Sequence, residues 1–286
     1  MARTQTVSRV DLHLHTTCSD GTITPQHLVA ECARLGMRVV AITDHDITDG
    51  VRLALPLARQ AGLTLVPAVE INTDYGASEV HILGYWIELD HAGLQAELAR
   101  IRDARLERNR QIIARLAQVG CHISEQRVRV IAGQGSVGRP HLAAAIVEAG
   151  CARDLPEAFD RFIGRRGVAY VERYRITPQE AVCHVLAAGG LPVLAHPGNI
   201  GRDELVAELV PVGLAGIEAY HSDHSSADAA RYVALAQRLE LLVTGGTDSH
   251  GPAGPGPLVA IGGVPVPDWV GEAMLAARPH DRAQEG

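Results

Sequence analysis

Seven short runs of apolar residues, rich in Val, Ile and Leu, recur along this 286-residue chain, and each ends in polar residues. Continuous runs of this kind are typical of strands that are buried on both faces. Because a helical pattern follows each run, we predict parallel βα units and a closed or nearly closed α/β barrel. The runs are VSRVDLHLH (7–15), MRVVAITDHD (37–46), LTLVPAVEIN (63–72), EVHILGYWI (79–87), LPVLAHPGN (191–199), GIEAYHSDH (216–224) and LLVTGGTDSHG (241–251).

Residue patterns typical of helices lie between the runs, and a long stretch of them in the middle of the chain marks an insertion. Thr24 and Thr177 stand at N-cap positions before a proline, and Glu180 completes a capping box. From about residue 91 to 175 the alternation stops, and one long amphipathic pattern followed by shorter ones predicts helices. We therefore predict a barrel formed by residues 1–90 and 176–286, with a helical insertion of residues 91–175 near the barrel mouth.

Charge and composition restrict the class of ligand. The net charge is −7, but residues 100–175 carry 15 Arg against 8 acidic residues, so the insertion is basic. Aromatic residues make up only 3% of the chain, which argues against long nucleic acid as the main ligand because few side chains can stack on bases. The sequence has neither a membrane-length apolar run nor an apolar leader, so we predict a cytoplasmic protein with no membrane or protein partner.

The five cysteines are scattered, odd in number and never arranged as C-x-x-C. Neither a disulfide framework nor a zinc ribbon is predicted from that pattern. Cys18 is expected to be a core or orienting residue, because hard divalent metals prefer oxygen and imidazole ligands.

Metal-capable side chains follow the predicted strands. His13 and His15 end the first run, and alternate residues of a strand point the same way, so both imidazoles can reach one ion. The carboxyl ends of barrel strands meet at one mouth, where active sites form. Asp44 precedes His45 and should point to the opposite face, as an orienting or structural residue. The predicted metal-binding and catalytic residues are His13, His15, Asp20, His45, Glu70, His81, His196, Asp248 and His250.

Several of these motifs together resemble the PHP (polymerase and histidinol phosphatase) family of metal-dependent phosphoesterases. They are DLHLHTTCSDGTITP (11–25), AITDHD (41–46), AVEI (68–71), VHILGY (80–85), LAHPG (194–198) and TDSH (247–250). The motifs GRPHLA (138–143) and YVERYRITPQEAV (170–182) are similar to the branch with 3',5'-nucleoside bisphosphate phosphatases and 5'-3' exoribonucleases. The resemblance implies a distorted seven-stranded (β/α) TIM-like barrel that holds up to three divalent ions.

The resemblance also implies three ligand sets. One ion would take His13, His15, Glu70 and Asp248, a second Glu70, His81 and His196, and a third Asp20, His45 and His250. Some family members have a histidine where this chain has Asp20, and the oxygen donor favours Mn²⁺ or a mixed Mn/Fe site over three Zn²⁺. A close pair of such ions lowers the pKa of the water between them, and the hydroxide formed would attack phosphorus.

The expected reaction is hydrolysis of the 3'-phosphate of nucleoside 3',5'-bisphosphates, with 5'-3' exoribonuclease action on short single-stranded RNA as a further activity. The alternatives are a histidinol-phosphate or other sugar-phosphate phosphatase, and a non-enzymatic PHP module that supports a partner. The side chains at the end of the sixth run are expected near the mouth, either in a substrate or orienting role or as parts of an ordinary loop; they are Glu218, Tyr220, His221, Asp223 and His224. The predicted substrate-binding residues are Arg139, His141, Asn199 and His221.

Overall fold

A computed structural model describes residues 8–76, 78–132, 137–172, 174–252, 254 and 259–279. All seven predicted strands are present and form one sheet in the order β1-β2-β3-β4-β5-β6-β7. They are β1 (Val10–Leu14), β2 (Val39–Ile42), β3 (Thr64–Tyr75), β4 (Ser78–Tyr85), β5 (Leu191–Leu194), β6 (Gly216–Tyr220) and β7 (Leu242–Gly245). The predicted α/β class is confirmed.

The direction of β4 differs from the prediction. β4 pairs antiparallel with both β3 and β5, while the other neighbouring strands of the sheet are parallel. Only residues 76 and 77 separate β3 from β4. A parallel crossover needs a dozen or more residues, so this short connection permits a hairpin and nothing else. The prediction of seven parallel βα units was therefore wrong for β4.

The two edges of the sheet approach each other at the tips of β1 and β7. Leu14 forms a parallel bridge with Ser249, and the N–H of His15 donates to the Ser249 carbonyl over 3.1 Å. The N–H of Asp248 donates to the carbonyl of His13 over 2.9 Å. These bonds nearly close the barrel, as predicted, and they bring the ends of β1 and β7 side by side.

Helices α1 and α7 begin where the sequence predicted. The Thr24 hydroxyl accepts from the N–H of His27, and Thr177 and Glu180 form the predicted capping box. The helices are α1 (Pro25–Arg34), α2 (Asp49–Gln60), α3 (Ala92–Gln118), α4 (Glu125–Ala132), α5 (Arg139–Glu148), α6 (Leu155–Ala158), α7 (Pro178–Ala187), α8 (Glu204–Leu209), α9 (Ser226–Arg238) and α10 (Asp268–Ala276). Within the described ranges, none of the helices is long and apolar enough to cross a membrane.

The chain divides into two compact units, one of residues 1–98 and 176–286 and one of residues 99–175. The second unit has its own apolar core, which includes Ile112, Leu142 and Phe162. In this unit Cys121 and Cys151 form a disulfide with their Cα atoms 5.8 Å apart. The expectation of unpaired cysteines was wrong here, because two cysteines 30 residues apart give no local signature of pairing. That the insertion lies near the barrel mouth stays a prediction.

Candidate metal centre

All nine predicted metal-binding residues lie in the unit of residues 1–98 and 176–286, on or just after its strands. Two of them, Glu70 and His81, lie inside a strand and not at its end, where the sequence had placed them. Glu70 lies inside β3, because that strand continues to Tyr75 before the hairpin turns. His81 lies in the first half of β4, opposite Asn72 of β3. Since β4 runs antiparallel, its first half is at the end of the barrel where the parallel strands finish.

One carboxylate oxygen of Glu70 faces three imidazoles. Its Oε2 lies 3.2 Å from His13 Nε2, from His15 Nε2 and from His45 Nδ1. Asp248 Oδ1 approaches the same ring nitrogens of the first two histidines, at 3.4 Å from His13 Nε2 and 3.0 Å from His15 Nε2. The ligand atoms of His13, His15, Glu70 and Asp248 all lie within 4.8 Å of one another. This group has the composition of the first predicted ligand set.

The other oxygen of Glu70 faces a different pair of imidazoles. Its Oε1 lies 2.8 Å from His81 Nδ1 and 3.2 Å from His196 Nε2. The rings of His81 and His196 meet edge to face, with centroids 5.1 Å apart. Glu70 therefore stands between two groups of nitrogen donors and presents one oxygen to each, which is the geometry of a carboxylate that bridges two ions.

A further group surrounds Asp20 in the loop after β1. Asp20 Oδ1 lies 3.4 Å from His250 Nε2 and 3.6 Å from His15 Nδ1, and Oδ2 lies 3.8 Å from His45 Nε2. The rings of His15 and His250 stack with their centroids 4.1 Å apart. The predicted third set of Asp20, His45 and His250 is thus together, and His15 joins it through its second ring nitrogen.

The pKa values of these groups follow from close packing of opposite charges. Burial by itself raises the pKa of Glu70, but the charges of His45, His13 and His81 bring it well below the usual range. Burial lowers the pKa of His81, yet the Glu70 charge and hydrogen bond raise it to about 10. Burial, together with the charges of His15 and His81, lowers the pKa of His45 to about 4 despite the opposing charge of Glu70. The ionised carboxylates thus draw positive charge, whether protons or cations, into this cluster.

Buried atoms that lack hydrogen-bond partners indicate that the cluster is suited to binding cations. Within the described part of the chain, several buried side-chain atoms have no hydrogen-bond partner, and all but Thr244 Oγ1 are in or beside this cluster. Buried polar atoms without partners are costly, so such a concentration needs a compensating ligand. Imidazole nitrogens and carboxylate oxygens are donors for Mn²⁺, Fe²⁺ and Zn²⁺. The atoms are His13 Nε2, both ring nitrogens of His15, Glu70 Oε2, His81 Nε2, His196 Nδ1, His221 Nε2 and Asp248 Oδ1.

Asp44 lies beside the cluster and fixes the loop after β1. Its carboxylate accepts hydrogen bonds from the N–H and hydroxyl of Thr16, each over 2.7 Å, and from the Ser19 hydroxyl over 2.7 Å. The same hydroxyl lies 3.1 Å from Oδ1 of the neighbouring Asp20, so its one hydrogen is shared between the two carboxylates. Asp44 therefore orients the segment that carries Asp20, and its structural role agrees with the alternation of side chains around His45.

The predicted substrate-binding residues have varied surroundings. Arg139 begins α5, and His141 caps that helix by accepting from the N–H of Gly138 over 3.0 Å. Asn199 is exposed after β5 and donates to Asp223 over 3.1 Å. Contact of these three residues with substrate stays a prediction.

His221 and Glu218 extend the cluster on the β6 side. His221 is buried, and its Nε2 lies 3.4 Å from Asp248 Oδ2. Its Nδ1 accepts from the N–H of Asp223 over 3.1 Å, so the neutral ring carries its proton on Nε2. Glu218 Oε1 lies 2.9 Å from His13 Nδ1. Sequence reasoning placed Glu218 near the mouth without a defined role, and an acidic residue inside an otherwise apolar strand was the available signal.

Replacing Asp20 with Ala should remove one of three divalent ions, because Asp20 supplies the carboxylate of the third group. Metal analysis of the Mn²⁺-loaded variant should find one fewer ion per chain, and kcat should fall about 10- to 100-fold. Asp268→Ala, at an exposed carboxylate of α10, is the matched control. An unchanged ion content in Asp20→Ala would contradict the assignment of the third group.

The chain is similar to a known protein family and to several curated proteins over most of its length. The model of the PHP domain matches residues 11–148. A 3',5'-nucleoside bisphosphate phosphatase from Chromobacterium violaceum is 31% identical over 252 residues, which cover 86% of this chain and 88% of the relative. The 5'-3' exoribonuclease Rnm of Salmonella typhimurium is 32% identical over 252 residues, 85% of each chain.

A further relative and a solved structure show the same similarity over most of the chain. A phosphoribosyl 1,2-cyclic phosphate 1,2-diphosphodiesterase from Eggerthella lenta is 34% identical over 253 residues, which cover 85% of this chain and 95% of the relative. A crystal structure from Bifidobacterium adolescentis, assigned to the metal-dependent phosphoesterases, is 31% identical with a TM-score of 0.78 and covers 96% of this chain and 97% of its own.

Proposed function

The chain belongs to the PHP domain family, and on that premise we propose that it hydrolyses the 3'-phosphate of nucleoside 3',5'-bisphosphates to give nucleoside 5'-monophosphate and phosphate. The observation that carries the proposal is the position of Glu70, whose two oxygens face separate groups of imidazoles within 3.2 Å. Paired ion sites of this kind are typical of phosphate ester hydrolysis. The similarity to the Chromobacterium violaceum phosphatase supports the choice of substrate.

The side chains have separable roles in this proposal. Divalent ions, when bound, lower the pKa of water and neutralise charge on the phosphate oxygens. Glu70 would set the spacing of the first two ions, with His13, His15 and Asp248 on one side and His81 and His196 on the other. Asp20, His45 and His250 would hold the third. His221 Nε2 lies 3.4 Å from Asp248 Oδ2, and this side chain would keep that carboxylate in place.

We propose that the ions bound by this chain are Mn²⁺. The third group contains the oxygen donor Asp20, and harder oxygen donors favour Mn²⁺ over Zn²⁺. Fe²⁺ and Zn²⁺ also bind imidazole and carboxylate, so a protein purified from cells carries what its host supplied.

A second activity, 5'-3' exoribonuclease action on short RNA, is favoured by similarity to the Salmonella typhimurium enzyme. The basic insertion, with 15 Arg against 8 acidic residues over residues 100–175, suits a substrate that carries several phosphates. The predicted cytoplasmic location stays a prediction.

The test is a product analysis with the Mn²⁺-loaded protein. We expect adenosine 3',5'-bisphosphate to yield adenosine 5'-monophosphate and phosphate, at a kcat/KM well above that for histidinol phosphate, a phosphoribosyl 1,2-cyclic phosphate or a mononucleotide. A 5'-phosphorylated RNA of a few nucleotides tests the second activity in the same assay. Release of the 5'-phosphate, or preference for histidinol phosphate, would overturn the substrate assignment. Absence of turnover with every ester, by protein that binds metal, would favour the non-enzymatic module.

A further inference from the structure

Glu218 occupies a central place in the barrel wall and is absent from the three predicted ligand sets, although one of its ligand atoms lies within 4.8 Å of those of His13 and His221. It is the third residue of β6, which lies between β5 and β7 in the sheet, and its side chain is fully buried. A buried carboxylate is costly unless it is fully hydrogen-bonded. Both of its oxygens are engaged: Oε1 lies 2.9 Å from His13 Nδ1, and Oε2 accepts from the backbone N–H of His196 over 2.8 Å.

The first of these contacts determines which nitrogen of His13 is available to a metal. A neutral imidazole carries one proton, and an acceptor beside Nδ1 places that proton on Nδ1. The unprotonated Nε2 then points to Glu70 Oε2 at 3.2 Å and to Asp248 Oδ1 at 3.4 Å. His13 Nε2 is also one of the buried atoms without a hydrogen-bond partner among the described residues. Glu218 therefore holds the ring in the tautomer that a ligand requires.

The second contact fixes the backbone that carries His196. His196 has φ of 26° and ψ of 59°, a left-handed conformation that residues other than glycine rarely adopt. Its N–H is held by Glu218, and two residues later the N–H of Gly198 donates to His224 Nε2 over 3.1 Å. Both acceptors belong to β6 or to the loop after it. The unusual conformation of His196 is thus maintained from the neighbouring strand.

We propose that Glu218 is a positioning residue that aligns ligands on both sides of Glu70 at once. His13 faces one oxygen of Glu70 and His196 faces the other, and one carboxylate sets the ring of the first and the backbone of the second. The inference rests on the metal centre of the proposed function and is independent of the substrate.

Glu218→Gln tests the positioning role without changing how the side chain fills its buried space. The amide has nearly the same shape as the carboxylate but only one acceptor oxygen. Its NH₂ group must face either the His13 Nδ1–H or the His196 N–H, so one of the two bonds is lost. We expect Mn²⁺ binding to the metal-free protein, measured by calorimetry, to weaken about 10- to 100-fold. The matched control is Thr244→Val, at the buried β7 position that pairs with Glu218 in the sheet, and it should change Mn²⁺ affinity less than about twofold.

Two outcomes of the titration bear on different conclusions. Mn²⁺ affinity of Glu218→Gln within twofold of wild type, at the same number of ions, would overturn the positioning role and leave the proposed function intact. A wild-type protein that binds no divalent ion would instead remove the metal centre itself.

A measurement on the unmodified chain covers the case in which Glu218→Gln does not fold. Nitrogen-15 NMR of histidine-labelled wild-type protein distinguishes the two tautomers of each ring. We expect His13, identified by the signal lost in His13→Gln, to carry its proton on Nδ1 in protein loaded with Zn²⁺, a diamagnetic ion that leaves the histidine signals observable. A proton on His13 Nε2, or none on Nδ1, would overturn the proposal.

Discussion

Glu70→Gln is expected to lower kcat for the 3',5'-bisphosphate by more than about 100-fold. Mutation of residues that only orient a metal ligand already lowers metal affinity or activity by about 10- to 100-fold, and Glu70 is itself a predicted ligand. Glu70 makes contacts within 3.2 Å to imidazoles on both of its oxygens, including His13 and His15 on one side and His81 on the other. An amide keeps the size of the side chain but presents only one oxygen and no charge. The variant should therefore lose the bridge between the first two ions.

Activity and metal content of Glu70→Gln need to be measured together. We expect the purified variant to retain fewer divalent ions than wild type and to regain little activity when Mn²⁺ is added in excess. Glu31→Gln is the control, since Glu31 is a surface carboxylate of α1 paired with Arg34. If Glu70→Gln kept wild-type kcat with a full set of ions, the bridging role would be wrong.

The strands and most of the metal-capable residues could be predicted because each depends on local sequence. Runs such as VVAI in β2 are apolar throughout, as expected for a strand buried on both faces, and His13 and His15 are separated by the two-residue period of a strand. The same local signal says nothing about the direction of a strand. EVHILGYWI predicts a strand equally well in either orientation, and the two-residue connection before β4 decided that it is antiparallel.

The role of Glu218 could not be predicted because it depends on contacts between distant residues. A carboxylate near the end of an apolar run, as Glu218 is in the sequence, is compatible with substrate binding, an orienting role or an ordinary loop. Its bond to the backbone of His196 needs β5 and β6 to be paired, and its bond to His13, 205 residues earlier, needs β1 to meet β7 at the closure of the barrel. The Cys121–Cys151 disulfide is similar, since the separation of 30 residues follows no metal or disulfide motif.

Removal of divalent ions by a chelator is expected to abolish activity and to lower the unfolding temperature. A ligand that binds only the native state at 100 times its Kd stabilises it by about 2.7 kcal/mol. For a chain of this size 1 kcal/mol corresponds to about 2 to 4 °C, so the loss of a single well-occupied site should lower Tm by about 5 to 10 °C. The physical cause is that removal of the ions leaves buried ligand atoms without a partner. Among the described residues, His15 Nε2 and Asp248 Oδ1 are two such atoms that have no hydrogen-bond partner.

The decisive comparison is thermal unfolding of wild type and Glu70→Gln, each with chelator and with excess Mn²⁺. Wild type should regain both Tm and turnover when Mn²⁺ is restored, while Glu70→Gln should gain less Tm because its bridging carboxylate is missing. The metal-capable groups share residues, since His15 and Glu70 each belong to two of them. Removal of one ion should therefore weaken binding of the others, and turnover should fall more steeply than ion content during chelation. Full activity with an unchanged Tm after chelation, in protein shown by metal analysis to be free of ions, would mean that the cluster is held together by its own protons and that the chemistry lies elsewhere.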